Sequence, residues 1–233
     1  MKRVLMIVHQ ATSTTGRVGR IMRGWGVHED IRCPNLGDAL PTTLDDYSGV
    51  VMFGGPMSAN DEHEPGIRRE LDWMSTTLDG DTPFLGVCLG AQMLARVHGA
   101  KVWEHPQQVA EIGYYEIKAT QAGTAYFPDS MHIYQWHRES FDLPSTATLL
   151  ATSELFTNQA FSVSPRHLGV QFHPDVTRDM LMRWSTGGAR RLVLPGTQGP
   201  EAQRRANLIH DGHVEAWCTR FLHDWLASAE TRQ

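Results

Sequence analysis

An α/β fold, with a parallel sheet covered by helices on both faces, is what this 233-residue sequence predicts. Short, uninterrupted apolar runs recur through the first hundred residues, and stretches with helical spacing stand between them. Strands buried on both faces read as such runs, and strands alternating with helices assemble into parallel sheets. After about residue 101 the pattern changes to several short strand-like runs with no helix between them. That change predicts antiparallel hairpins added to the parallel sheet.

Taken in order, residues 4–8 (VLMIV) are the first buried strand, and residues 15–25 (TGRVGRIMRGW) the first helix. Residues 30–33 suggest a short second strand. Residues 49–53 (GVVMF) are the next apolar run, ending in Gly54-Gly55-Pro56. Residues 65–78 put Ile67, Leu71, Met74 and Leu78 on one helical face. Residues 83–87 read as a strand and 89–98 as the helix after it. The hairpin region offers runs at 112–117, 132–135, 148–151, 160–163 and 168–172. A helix is expected over 177–191, then a Gly/Pro-rich break (LPGTQGP, 194–200), then one long helix over 201–229 that Gly212 weakens locally. With no repeat, low-complexity tract or linker, residues 1–233 read as a single domain.

Composition narrows the function. A net charge of −5 argues against nucleic acid as a partner, which usually meets a basic patch. No 18-residue apolar run is present, so no membrane span is expected, and the N-terminal apolar stretch is too short for a secretory leader. Cys33, Cys88 and Cys218 form neither a CxxC pair nor a disulfide framework, which fits a reducing cytoplasm. The Glu62-His63-Glu64 stretch and His210/His213 read as solvated faces, so no metal site is expected and no cofactor is called for. Trp184, Trp217 and Trp225 lie on predicted helices and read as packing residues.

In an open parallel sheet, ligands bind beyond the carboxyl ends of the strands. Two loops are therefore candidates, those after Phe53 and Val87. Gly86-Val87-Cys88-Leu89-Gly90 has the G-x-nucleophile-x-G spacing of a sharp strand-to-helix turn. Such a turn lifts the Cys88 thiol clear of the sheet and sets it at a helix N-terminus, which favours thiolate. The Leu89 N–H would face a developing oxyanion, and the Gly55 N–H could supply the second donor. A buried, inert thiol is the competing reading of Cys88, so a base must be found. Among twelve histidines, His173 is best placed, at the end of the LGVQF run and before Pro174, which stops a strand. Asp175 stands where it can accept the other imidazole N–H, the third role of a triad.

At these residues the sequence resembles the class I (triad) glutamine amidotransferases, above all the glutaminase domain of GMP synthase and its stand-alone relatives. The matching segments are VVMFGGPMSAND (50–61), PFLGVCLGAQMLA (83–95), EIGYYEI (111–117), WHRESFDLP (136–144) and LGVQFHPD (168–175). The resemblance implies a flavodoxin-like sheet with additional antiparallel strands. It implies attack by Cys88 on the γ-amide of glutamine, proton transfer by His173, orientation of His173 by Asp175, and an oxyanion hole from Gly55 and Leu89. It places Gln92 against the substrate, and the backbone of Gln135, Trp136 and His137 at the substrate's amino-acid end.

Two departures stand out. Asp175 replaces the family's usual Glu, and Arg138-Glu139 stands where GMP synthase has Gly-Asp, which brings a positive charge toward the rim. The residues after His173 hold neither a G-x-x-x-x-G-K-[ST] loop nor the Ser-Gly-Gly-x-Asp-Ser loop of the ATP pyrophosphatase. Ammonia would then be released or passed to a separate ammonia-accepting synthetase subunit. The first alternative is a γ-glutamyl peptide or amide hydrolase using the same triad. The second is a non-catalytic, amidotransferase-like binding subunit.

Overall fold

A computed structural model describes residues 2–77 and 81–228. Leu78 and Ala229, assigned above to helices, lie outside them. Nine strands form one sheet in the order β2-β1-β3-β4-β11-β10-β9-β6-β7. The first five of that order, β2 (His28–Arg32), β1 (Arg3–Ile7), β3 (Gly49–Met52), β4 (Phe84–Val87) and β11 (His167–Val170), pair in parallel. The other four, β10 (Ala160–Ser164), β9 (Thr148–Thr152), β6 (Glu111–Ala119) and β7 (Ser130–His137), pair antiparallel. This is the expected parallel sheet with its added hairpins.

Strand alternation builds two cores. Val4 and Met6 of β1 face one side, against α1 (Gly16–Gly24) and the C-terminal half of α5 (Pro200–Ala227), where Trp217, Phe221 and Trp225 are buried. Leu5 and Ile7 face the other, against α2 (Pro65–Thr77) and α3 (Leu89–Val97). Ile67, Leu71 and Met74 are buried as their spacing predicts. A smaller cluster joins α4 (Arg178–Gly187) to Tyr114 and Tyr134 of the antiparallel strands.

Some boundaries differ from the reading above. The helix expected over 177–191 ends at Gly187, and residues 189–193 tighten into a 3₁₀ turn. Two consecutive glycines lack the side-chain restraint that favours continuing a helix. Strand β11 ends at Val170, three residues before His173, rather than running to residue 172. Strands β5 (Val102–Glu104) and β8 (Glu139–Phe141) pair as a separate two-stranded sheet that the sequence reading missed. Three residues are too few to show an alternation. No helix among the described residues is long and apolar enough to cross a membrane.

Candidate active site

Strand β4 ends at Val87 and α3 begins at Leu89, which leaves Cys88 alone at the turn with φ 51° and ψ −104°. A non-glycine residue there costs on the order of 1–3 kcal/mol and persists only where its surroundings hold it. Here they do. The Cys88 N–H donates to Val170 at 2.8 Å, and its carbonyl accepts from Gln92 at 3.0 Å. The flanking glycines permit the close approach. A β-carbon on Gly86 would lie 2.5 Å from the Gly90 carbonyl oxygen, and one on Gly90 2.2 Å from that of Met52. Leu89 opens α3, so its N–H has no carbonyl one turn back to bond.

His173 reaches Cys88 from the neighbouring strand. Its backbone N–H donates to the Tyr134 carbonyl at 2.8 Å, and Nδ1 donates to Asp175 Oδ1 at 3.2 Å. A carboxylate only accepts, so Nδ1 carries the proton and Nε2 is left for the sulfur. The ring hydrogen-bonds the Cys88 side chain. A β-carbon on Gly54 would sit 2.6 Å from His173 Cε1 and 3.3 Å from Cys88 Cβ. Burial alone would lower the pKa of His173. The Cys88 thiolate, the Asp175 carboxylate and the hydrogen bonds to both outweigh it and raise the pKa above the ordinary histidine range. That balance favours a thiolate–imidazolium pair. By contrast, burial raises the Cys33 thiol and pushes the Cys218 thiol up to about 12, leaving both protonated and unreactive.

The Asp175 hydrogen bond lies at the long end of the normal range, in keeping with the shorter side chain. The turn that carries it is clamped from α1. Arg17 N–H donates to the Asp175 carbonyl at 2.7 Å, and its buried guanidinium donates to the Pro174 carbonyl at 2.9 Å. Arg17 also pairs with Asp211 of α5. Sequence reading had no signal for this. Arg17 is one of several cations on an amphipathic helix, and only the fold shows it turned inward.

A cavity of about 600 Å³ opens over the sulfur, lined by Cys88, His173, Asp175, Gly54 and Gly55. Its walls include Trp136 and Trp184, and the Trp184 ring stands edge-on to His173 with centroids 5.0 Å apart. Trp184, read above as a packing residue, thus also faces the site. Arg183 and Arg191 line the same cavity.

Of the residues assigned to the substrate, Trp136 lines this cavity, and the side chains of Gln92, Gln135 and His137 do not. Gln92 Nε2 donates to the Glu139 carbonyl at 3.0 Å and to Gln171 Oε1 at 3.2 Å. Gln135 Nε2 donates to Gln159 Oε1 at 2.7 Å. His137 bonds the Glu139 carbonyl and Glu111 Oε2, each at 3.0 Å. The backbone fares differently. β7 is an edge strand whose Tyr134 carbonyl faces His173, and alternate residues present their peptide groups to the same side. Trp136 therefore turns its N–H and C=O toward the same side as His173. Arg138 points elsewhere, to Glu104 at 3.3 Å, and does not line the cavity. The positive charge expected there comes from Arg183 and Arg191.

Residues 30–180 match the family model "Glutamine amidotransferase class-I". The chain belongs to this family. One chain of the two-part, glutamine-hydrolysing GMP synthase of Thermoplasma volcanium is 31% identical to this amidotransferase over 182 residues, 74% of this chain and 83% of that one. Gamma-glutamyl peptidase 3 of Arabidopsis thaliana is 30% identical over 152 residues, 59% of this chain and 58% of that one. Against full-length GMP synthases of Cytophaga hutchinsonii and Aeropyrum pernix, the chain spans 34% and 35% of their length. Among solved structures, a glutamine amidotransferase from Thermotoga maritima superposes with a TM-score of 0.87 at 31% identity, covering 97% of this chain and 98% of the other.

Proposed function

We propose that this amidotransferase hydrolyses a γ-glutamyl amide, with glutamine the first substrate, through a Cys88 thioester. The observation that carries the reading is a positive-φ cysteine hydrogen-bonded to a histidine that is itself held by a carboxylate. The Cys88 thiolate adds to the amide carbon, and the oxyanion formed is held by the N–H groups of Leu89 and Gly55. His173 then gives its proton to the leaving nitrogen, so ammonia departs and a thioester remains. Water attacks the thioester with His173 as base, releasing glutamate and the thiol. Asp175 keeps the imidazole in the tautomer that both steps need.

Ammonia and glutamate release from glutamine, compared with Cys88→Ala, tests this. Equal rates in the two proteins end the reading. The Thermoplasma volcanium relative is by name one part of a divided synthase, which supports transfer of ammonia to a separate synthetase chain. The roomy cavity with Arg183 and Arg191, and the peptidase relative, support a second reading in which the leaving group is larger than ammonia. Turnover of γ-glutamyl dipeptides against glutamine decides between them, since a clear preference for free glutamine rejects the second.

A further inference from the structure

Behind the glycine loop lies a buried pair that neither the triad nor the cavity uses. His9 follows β1 and Glu70 sits on α2, and both side chains are fully buried. His9 Nε2 lies 2.9 Å from Glu70 Oε2, and Nδ1 lies 3.2 Å from the Gly54 carbonyl oxygen. A carbonyl only accepts, so Nδ1 carries a proton. The second proton is shared between Nε2 and Glu70, and the pair is neutral overall wherever it sits.

Such a pair is poorly explained by stability. Burying an ion pair costs several kcal/mol per charge, and apolar residues of the same volume often serve as well. Glu70 Oε1 has no hydrogen-bond partner among the described residues, which adds to that cost. What the pair does achieve is a fixed donor on one particular carbonyl. The Gly54 carbonyl and the Gly55 N–H belong to one planar trans peptide and point in opposite directions. Gly54 and Gly55 line the cavity and His9 does not. A β-carbon on Gly55 would lie 2.8 Å from His9 Cβ and 3.0 Å from Leu89 Cδ2, so the loop is packed between the histidine and the start of α3. Asn35 Nδ2 donates to the His9 carbonyl at 3.2 Å and anchors the histidine's own backbone.

We infer that His9, held in its tautomer by Glu70, is a positioning residue. It grips the Gly54 carbonyl so that the Gly55 N–H stays aimed at the developing oxyanion. The inference rests on the reading of Gly55 as an oxyanion donor. It adds that the aim of the donor is set from behind, by a side chain that never meets substrate.

The test separates reactions that form an oxyanion from one that does not. Hydrolysis of glutamine and inhibition by a γ-glutamyl aldehyde, which adds to Cys88 as a tetrahedral hemithioacetal, both need the hole. Alkylation of Cys88 by iodoacetamide displaces iodide at a saturated carbon and does not. His9→Leu should lower kcat roughly 10- to 100-fold with KM within about threefold, and weaken the aldehyde by the same factor. Its alkylation rate should stay within about twofold of wild type, because the thiolate is untouched. His9→Asn, whose amide nitrogen can replace Nδ1–H, should recover most of the loss. Glu70→Gln, which can donate to Nε2 of the neutral ring, should stay close to wild type.

A folded His9→Leu protein with wild-type kcat and aldehyde affinity overturns the inference. So does a parallel fall of alkylation and hydrolysis, which would place His9 in the support of the thiol. If His9→Leu does not fold, no recovery in His9→Asn overturns it equally well. Should wild type and Cys88→Ala prove equally inactive, the functional reading fails first. The positioning is then judged on amide exchange of Gly55, expected to quicken roughly tenfold or more in His9→Leu with Leu89 unchanged. In His9→Asn the Gly55 exchange should return toward wild type, and in a protein whose leucine variant does not fold that measurement decides alone.

Discussion

The two halves of the sheet contribute to the site in opposite ways. In the parallel half, β1, β3, β4 and β11 bring His9, the glycine loop, Cys88 and His173 to one end of four adjacent strands. Its interior is apolar, and its precision comes from backbone closeness: glycines against carbonyls, and a strained cysteine between two hydrogen bonds. The antiparallel half buries polarity instead. Glu111, Gln135, His137, Ser153 and Gln159 form one internal network, and Gln92 and Gln171 bond each other between α3 and the end of β11. One half fixes reactive groups by sterics and the other shapes a wall by hydrogen bonding, so damage to each should read out differently.

The severest test of the parallel half is Gly90→Ala. The added methyl meets the Met52 carbonyl oxygen, part of a neighbouring strand that has nowhere to move. We expect a stability loss of about 3 kcal/mol from overpacking. We also expect activity to fall at least about 100-fold, because α3 and the elbow would shift together. Urea unfolding and turnover on the same protein check both. A loss of stability with full activity would show that the elbow tolerates movement.

Glu111→Ala is the matching test of the antiparallel half. Its Oε2 accepts from Gln159 at 2.8 Å and faces His137 Nε2, and its Oε1 accepts from Ser153 at 2.9 Å. Removing it strands three buried partners, and about 3 kcal/mol of stability should go. Activity in the protein that remains folded should change less than about tenfold, since none of the three lines the cavity. If turnover collapses while stability holds, the network belongs to the chemistry.

Asp175→Asn moves the reaction and spares the fold. With the carboxylate gone, kcat should fall about 100-fold or more. The pH sign is fixed by the charges. Asp175 is one of the groups that raise the His173 pKa, so its removal lowers that pKa, and His173 loses its proton at a lower pH than in wild type. Cys88→Ala should shift it the same way, because the thiolate is the foremost raising influence. NMR titration of the His173 ring in both variants checks this. An unchanged titration in either would remove that partner from the pair.

The same contrast explains what the sequence made legible. The parallel half announced itself because buried strands leave continuous apolar runs, and a strand-to-helix elbow leaves glycines at fixed spacing around Cys88. His173 and Asp175 were readable beside Pro174. The supports behind them were not. His9, Arg17 and Glu70 are a histidine after a strand and two charges on amphipathic helices, indistinguishable in sequence from solvated residues until the fold buries them. The antiparallel half hid more. Gln92, Gln135 and His137 come near the site in sequence motifs, yet their side chains close a network away from the cavity. No spacing rule records which way a buried amide turns.

Arg138 is the mildest test and the sharpest for that last point. In the sequence it stands where a relative's glycine would be and looks like a change in substrate charge. In the structure it lies on the solvent side of the antiparallel half, 58% exposed, with Glu104 at 3.3 Å as its partner. Exposed pairs of this kind contribute roughly 0–1 kcal/mol. Arg138→Ala should therefore leave stability within about 0.5 kcal/mol and KM within about twofold. Arg183→Ala and Arg191→Ala, which remove cations that do line the cavity, should raise KM for an anionic γ-glutamyl dipeptide more than for glutamine. Steady-state kinetics on the three variants with both substrates decides the matter. If Arg138→Ala raises KM and the other two do not, the charge that selects the substrate sits on the antiparallel rim.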